Sequence, residues 1–428
     1  MKGFLNAIKS FFKIIGIILL IITLIFGVLI AYYYFLAPDI IKTFDQYGGV
    51  CFDYTLEEHN YADKLHYKQL NESEARHYRC MYHAAINNET SYYLQTSSLF
   101  ESDDAGRAVR AFDADFPEFY WFGQIISTEA TSKKDKLNLF DFYFVKVEAE
   151  CHDFTEEDIL INQEIIDTKL NEILPSLIGE DDYSTIKNVY DYIASNVEYD
   201  ASMVDTSDIR AAFINEKGVC SSYSETFQMI CNRLGYECYS VQGDGLTLYV
   251  GDEIENSVVE QIASGDMGHE WNIIKINESW YWVDPTWGDG DTEYEDLYGN
   301  NITRVDYSYL LVPDSIFLLD HTCGDTFEYP KCEDESYYLY DESGVIIDEY
   351  DQDLINSSIA SAFFNRRNDY TFHFKSIEDV DSFTNWIERK GFYNVYQNNI
   401  SEYYDGRMNY YISNNCSVHL NWRITNLY

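Results

Sequence analysis

Gly218-Val219-Cys220-Ser221-Ser222-Tyr223 opens the part of the sequence that decides the fold. Gly268-His269-Glu270-Trp271-Asn272 and Trp280-Tyr281-Trp282-Val283-Asp284-Pro285-Thr286-Trp287 complete it. In chain order they supply a thiol, an imidazole and a carboxylate, the three groups that acyl transfer through a cysteine nucleophile requires.

Cys220 sits at the start of a helix. Gly218 permits a tight turn into it, and Tyr223, Phe227, Ile230 and Leu234 recur at helical spacing as a core-facing stripe. Gly235 suits the C-terminal stop. A cysteine in the first turn faces backbone N–H groups and the positive end of the helix dipole, and both favour thiolate. The same N–H groups can donate to an oxyanion. The plain alternative is a disulfide half or a core cysteine. Cys231 is excluded as its partner, because eleven helical residues span about 16 Å and a disulfide tolerates ~7 Å between Cα atoms.

The other two segments form a hairpin: a strand from His269 to Ile276, a turn at Asn277-Glu278, and a return from Ser279 to Asp284. A two-residue loop pairs Ile276 with Ser279 and places Asp284 opposite Trp271. Period-two alternation then puts His269, Trp271 and Asp284 on one face, with the imidazole within reach of the carboxylate. A three-residue loop would reverse that parity. Taken singly, His269 is an ordinary half-buried histidine and Asp284 a turn former; together with Cys220 they form a constellation.

With these residues in place, Tyr183 to Trp287 resembles the transglutaminase-like superfamily, whose fold is related to papain-type peptidases. The resemblance rests on a helix ending in Asn196-Val197-Glu198-Tyr199-Asp200, then Gly218-Val219-Cys220, His269-Glu270-Trp271-Asn272 and Val283-Asp284-Pro285-Thr286-Trp287. It implies an α+β core in which a helix carrying the cysteine packs on an antiparallel sheet carrying the histidine and aspartate. It implies Cys220 as nucleophile, His269 as general base and acid, and Asp284 as the orienting carboxylate. A thioester acyl-enzyme would follow, resolved by water in a peptidase or amidase and by an amine in a cross-linking enzyme. Glu270 stands where many relatives carry a small residue, so a charge beside the base is expected to alter its pKa or the substrate preference. Trp271, Trp282 and Trp287 are candidate walls of the substrate cleft, with core packing as the alternative. The aromatic run Phe116 to Phe122 resembles the leader region of bacterial surface members and is expected to be a buried strand or its approach.

The rest of the chain bounds this picture. Its net charge of −44, from 29 basic and 73 acidic residues, argues against a nucleic-acid partner. A peptide or protein substrate is expected. Ile14 to Leu36 carries no charge and, as a helix, spans about 34 Å against a hydrocarbon core of ~30 Å. Lys2, Lys9 and Lys13 precede it, so the positive-inside bias places the N-terminus in the cytoplasm and the remainder outside. The expected domains are 1–37, tail and anchor; 38–150, a small α+β unit; 151–345, the catalytic domain; and 346–428, an α/β appendage. Helices are expected over Tyr54 to Asn88, Asp103 to Ala114, Thr155 to Leu174 and Tyr183 to Asn196. No metal or cofactor is expected. Asp289 to Asp296 is an acidic loop for which calcium is the alternative to solvation. Among nine cysteines, Cys323 and Cys332 form a disulfide or stand apart, and His321 with them is a weaker metal candidate.

Overall fold

The computed structural model describes residues 2–44, 50–51, 61–96, 105–122, 126–134, 141–149, 155–202, 207–245, 268–289, 294–295, 301–302, 305–338, 344–365, 367, 369–389, 391–392, 395, 404–413 and 416–424. The chain divides into two compact units, Met1–Asp113 with Trp121–Ile159, and Ala114–Tyr120 with Leu160–Tyr428.

The first unit begins with helix α1, Lys2–Phe44. Within it Phe11–Tyr32, 22 residues, is long and apolar enough to cross a membrane, with mean hydropathy 3.2 in its most apolar 18-residue window, and none of it is buried in the protein. The next helix, α2, is Glu72–Ile86, shorter than the stretch from Tyr54 that apolar spacing suggests. Asn71 sets its start. The Asn71 side chain accepts from the Ser73 and Glu74 N–H groups, and the Glu74 carboxylate accepts the Asn71 N–H, a reciprocal cap that fixes where the helix begins. Helix α3 is Ala105–Asp115. A four-stranded sheet, in the order β1-β2-β4-β3, is built from β1 Val50–Cys51, β2 Ser91–Thr96, β3 Ile126–Lys134 and β4 Asp141–Ala149. Strand β3 carries Ser, Thr, Glu and Lys, so hydrophobic alternation gives no sign of it; it is an edge strand held by its ladder to β4.

Of the two outcomes expected for the aromatic run, a strand or the approach to one, the strand is not formed: Pro117–Phe122 is a 3-10 helix, and strand β3 begins at Ile126. Phe119 donates its N–H to the Phe116 carbonyl; Phe116, Tyr120, Trp121 and Phe122 are buried and Phe119 is half-buried. A short run this rich in aromatic residues carries no clear period, so the pattern does not distinguish helix from strand.

In the second unit, helix α4 (Glu156–Leu177) is followed by α5 (Asp182–Asn196), which Asp181 caps through the Ser184 N–H. Helix α6 is Cys220–Arg233, and the chain turns back at Gly235 with φ +97°. Two short pairs, β5 Glu198–Tyr199 with β6 Lys217–Gly218 and β10 Tyr294–Glu295 with β11 Asn301–Ile302, flank the main sheet in sequence. The sheet beneath α6 has the order β12-β7-β8-β9, built from β7 Glu237–Gly245, β8 Gly268–Ile276, β9 Ser279–Val283 and β12 His321–Cys323, with every neighbouring pair antiparallel. Helix α6 is almost wholly buried, with Tyr223, Phe227 and Ile230 fully enclosed.

The C-terminal part, in the same unit, is a second sheet. Its order is β13-β14-β16-β15, from β13 Gly344–Ile347, β14 Asp369–Phe374, β15 Tyr404–Ile412 and β16 Ser417–Ile424. It packs with helices Gln352–Phe364 and Ile377–Glu388 around Phe372, Phe374, Phe383, Leu420 and Trp422. Ser376 caps the second of these helices through the Asp379 N–H, as its sequence suggests. Buried polar contacts tie this sheet to Ser308 and Tyr338, which precede it in the chain. His419 Nε2 meets Ser308 Oγ at 2.8 Å, and the Tyr338 hydroxyl meets His373 Nδ1 at 3.2 Å.

Candidate active site

The turn that presents Cys220 is fixed from both sides. The short strand Glu198–Tyr199 pairs in parallel with Lys217–Gly218, and the Asp200 N–H donates to the Gly218 carbonyl at 2.9 Å. Gly218 has no room for a side chain, since a Cβ there would strike Ser222. The Ser221 hydroxyl donates to the Ser207 carbonyl at 2.7 Å. Val219 is the N-cap and makes no side-chain cap bond, so the cap itself does not occupy the first-turn N–H groups. Cys220 is a free thiol of intermediate exposure.

The residues between the motif positions bind α6 to β8. Glu270 accepts from the Ser224 hydroxyl at 2.5 Å, and the Asn272 amide donates to the Ser224 carbonyl at 2.9 Å. Gln228 accepts the Ser240 N–H from β7. Strand alternation therefore gives Glu270 and Asn272 a helix-anchoring task, while Trp271 packs on Phe317 and His321. Glu270 is 4% exposed. Burial raises its pKa, against the opposing bonds from Ser224 and Gln242 and the charge of His269.

The hairpin has the two-residue turn. Ile276 pairs with Ser279, Asn272 with Val283, and Asn277 takes a left-handed φ of 55°. His269 Nε2 lies 2.7 Å from Asp284 Oδ2, and the Cys220 thiol is close enough to the His269 ring to help raise its pKa. Nε2 is committed to the carboxylate, which leaves Nδ1 for the thiol. Asp284 is completely buried. Its Oδ1 accepts the N–H groups of Thr286 at 2.8 Å and Trp287 at 3.1 Å, and the Tyr190 hydroxyl holds its backbone carbonyl at 3.0 Å. Burial alone would raise this carboxyl's pKa, but the charge and hydrogen bonds of His269 and His321 hold it well below the usual carboxylate range. For His269, burial pulls the pKa down; the charge and hydrogen bond of Asp284, with the Cys220 thiol adding to them, outweigh it and bring the imidazole up to about 10.

The three tryptophans divide. Trp271 and Trp282 are buried, so they are core and not walls of an open cleft. Trp282 stacks on Phe317 at 5.4 Å and donates to Asp314. Trp287 lies against the site itself, stacked on the His269 ring at 5.1 Å and 20°. Cys323 and Cys332 are both free, not disulfide-bonded. Most of the acidic loop from Asp289 to Asp296 lies outside the described residues.

His321 is the site residue that sequence spacing does not place here. Its Nε2 approaches Asp284 Oδ2 at 3.2 Å, and its Nδ1 approaches Asp320 Oδ1 at 2.6 Å. Polar atoms of His269, Asp284 and His321, one from each, lie within 4.8 Å of one another. Hydrogen bonds account for the same geometry, because both rings direct Nε2 at one carboxylate oxygen.

A thiol at a helix start, an imidazole beside it and a buried carboxylate behind that imidazole thus stand together on an α+β helix-on-sheet frame. Residues 176–285 match the model of the transglutaminase-like superfamily. Among curated proteins, the chain is 27% identical over 183 residues to a mouse protein named kyphoscoliosis peptidase, covering 39% of this chain and 25% of that protein. It is 27% identical over 187 residues to the human protein of that name, covering 40% and 26%. The chain thus spans about a quarter of the length of the curated relatives it matches. A solved structure described as a TGase aligns at 17% identity and a TM-score of 0.24, covering 46% of this chain and 51% of that one.

Proposed function

We propose that this chain is a cysteine peptidase or amidase that cleaves peptide or glutamine-type amides through a thioester, held at a membrane by its N-terminal helix with the catalytic domain outside the cytoplasm. One observation carries the chemistry: His269 lies, through Nε2, 2.7 Å from the buried Asp284, with the Cys220 thiol close enough to act on the ring. His269 Nδ1 takes the Cys220 proton, and the thiolate–imidazolium pair forms. Sγ attacks the carbonyl carbon while first-turn N–H groups of α6 receive the developing oxyanion. His269 returns the proton to the departing nitrogen as the C–N bond breaks, and a thioester remains. Water, deprotonated by His269, attacks that thioester, releases the acid and restores the thiol. The anchor rests on Phe11–Tyr32 and the lysines before it.

The test begins with the thiol. Cys220 should react with iodoacetamide well below pH ~8.5, the free-thiol reference, and Cys220→Ser should remove that reaction. An inert Cys220 defeats the catalytic reading and leaves a peptide-binding surface module. Digestion of a peptide library by wild type but not by Cys220→Ala supports hydrolysis. Incorporation of a fluorescent primary amine into a glutamine-rich protein, without digestion, replaces it with amine transfer. Labelling of Cys220 in intact cells by a membrane-impermeant thiol reagent tests the topology.

A further inference from the structure

We propose that His321 is a positioning residue that sets the basicity of Asp284 and, through it, the proton affinity of the His269–Cys220 pair. The proposal rests on the thiol–imidazole reading of the site and adds a second imidazole to it.

Hydrogen placement follows from the carboxylate. Asp284 Oδ1 already accepts two backbone N–H groups, and Oδ2 faces both Nε2 atoms at 2.7 and 3.2 Å. An ionised carboxylate only accepts, so both Nε2 atoms carry hydrogen. On His321 this leaves Nδ1 against Asp320 Oδ1 at 2.6 Å, with one proton between them. Asp320 is fixed in turn by the Tyr309 hydroxyl at 2.9 Å. The ring is clamped as well as bonded: Phe317 stacks on it at 3.9 Å and 19°, and Trp287 lies at 4.4 Å on the catalytic side. A buried ring held this firmly, with both nitrogens engaged, has no packing requirement that a phenyl group would not meet. What imidazole adds is the N–H on Oδ2.

That N–H competes with His269 for one oxygen. Taking it away leaves Asp284 more basic and the His269 imidazolium more stable, so the thiol loses its proton at lower pH. The sign does not depend on the shared proton. If it sits on Nδ1, removing the ring also removes a positive charge beside His269; if it sits on Asp320, only the hydrogen bond is lost. The groups facing His321 are Asp284 and His269 from the hairpin, Asp320 from its own segment and Tyr309 from the preceding turn. Tyr338 and Cys416 lie within range of the Asp320 charge.

The experiment is the pH profile of Cys220 alkylation by iodoacetamide in the full chain, which needs no substrate. His321→Phe should lower the midpoint by about half a pH unit or more, and His321→Gln, whose amide restores a donor, should leave it at the wild-type position. An unmoved or raised midpoint in His321→Phe overturns the proposal, as does a His321→Gln profile that matches His321→Phe. A wild-type Cys220 that never alkylates defeats the underlying site reading instead. If His321→Phe does not fold, 15N spectra of histidine-labelled wild type decide: a hydrogen on His321 Nε2 sustains the proposal, and its absence ends it.

Discussion

Replacing Asp284 by Asn removes one charge while keeping the shape, and the surroundings dictate what the new amide can do. Oδ1 receives two backbone N–H groups from the turn after β9, so the amide oxygen must stay there. The amide NH2 then points at both imidazole Nε2 atoms, where the carboxylate had accepted. Donor faces donor. His269 can escape only by moving its hydrogen to Nδ1, which presents an N–H to the Cys220 thiol in place of a lone pair. The variant thus loses a charge-assisted bond worth about 1.5–3 kcal/mol and also holds the wrong tautomer. The imidazole, held up to about 10 in the wild type chiefly by Asp284 against burial, falls toward or below its ordinary value. Alkylation of Cys220 at pH 6 should slow by about 10- to 100-fold, with its midpoint moving up by about one to two pH units. A thermal melt run in parallel separates this from unfolding. A folded Asp284→Asn protein that alkylates within about threefold of wild type at pH 6 would refute the reasoning.

Further expectations concern the scaffold. The raised His269 pKa contributes stability that is fully present below its ordinary value of 6.5 and is lost as pH rises through about 10; the lowered Asp284 contributes above its ordinary 3.8 and loses it on acidification. Urea midpoints should therefore fall on both sides of neutrality, and His269→Gln should flatten the alkaline fall. Ser224→Ala strips the buried Glu270 of its short bond and should cost about 1–3 kcal/mol at pH 7 by chemical denaturation; Ser224→Ala combined with Glu270→Gln should recover part of it. A methyl group at Gly288 would run into the Tyr190 hydroxyl, which holds the Asp284 and Asp306 carbonyls. Gly288→Ala should lower the melting temperature by several degrees, corresponding to about 1–3 kcal/mol; an unchanged melt would show that Tyr190 can give way.

Much of the site was legible because its signals are local. Strand periodicity and a two-residue turn suffice to put His269 and Asp284 on one face, and helical spacing with flanking glycines suffices to start a helix at Cys220. Glu270 has a second role that its place in the sequence does not announce. Its carboxylate lies beside His269 in sequence, yet its hydrogen bonds go to Ser224 on α6 and Gln242 on β7. Two cleft tryptophans became core once β12 and the Asp314–Phe317 turn covered them. The start of α2 was legible in principle: Asn71 with Glu74 is a capping pair that apolar spacing outweighed.

The sequence by itself determined the thiol–imidazole–carboxylate order, the helix and the hairpin that carry it, and the apolar N-terminal helix, since each is encoded within a few turns or one strand pair. Only the tertiary structure decided that His321 joins the site. It lies 37 residues beyond Asp284 in the chain and arrives on an edge strand whose pairing with β7 no local pattern announces. Register between distant strands is set by which side chains fill the same core, and that information exists only once the core has formed.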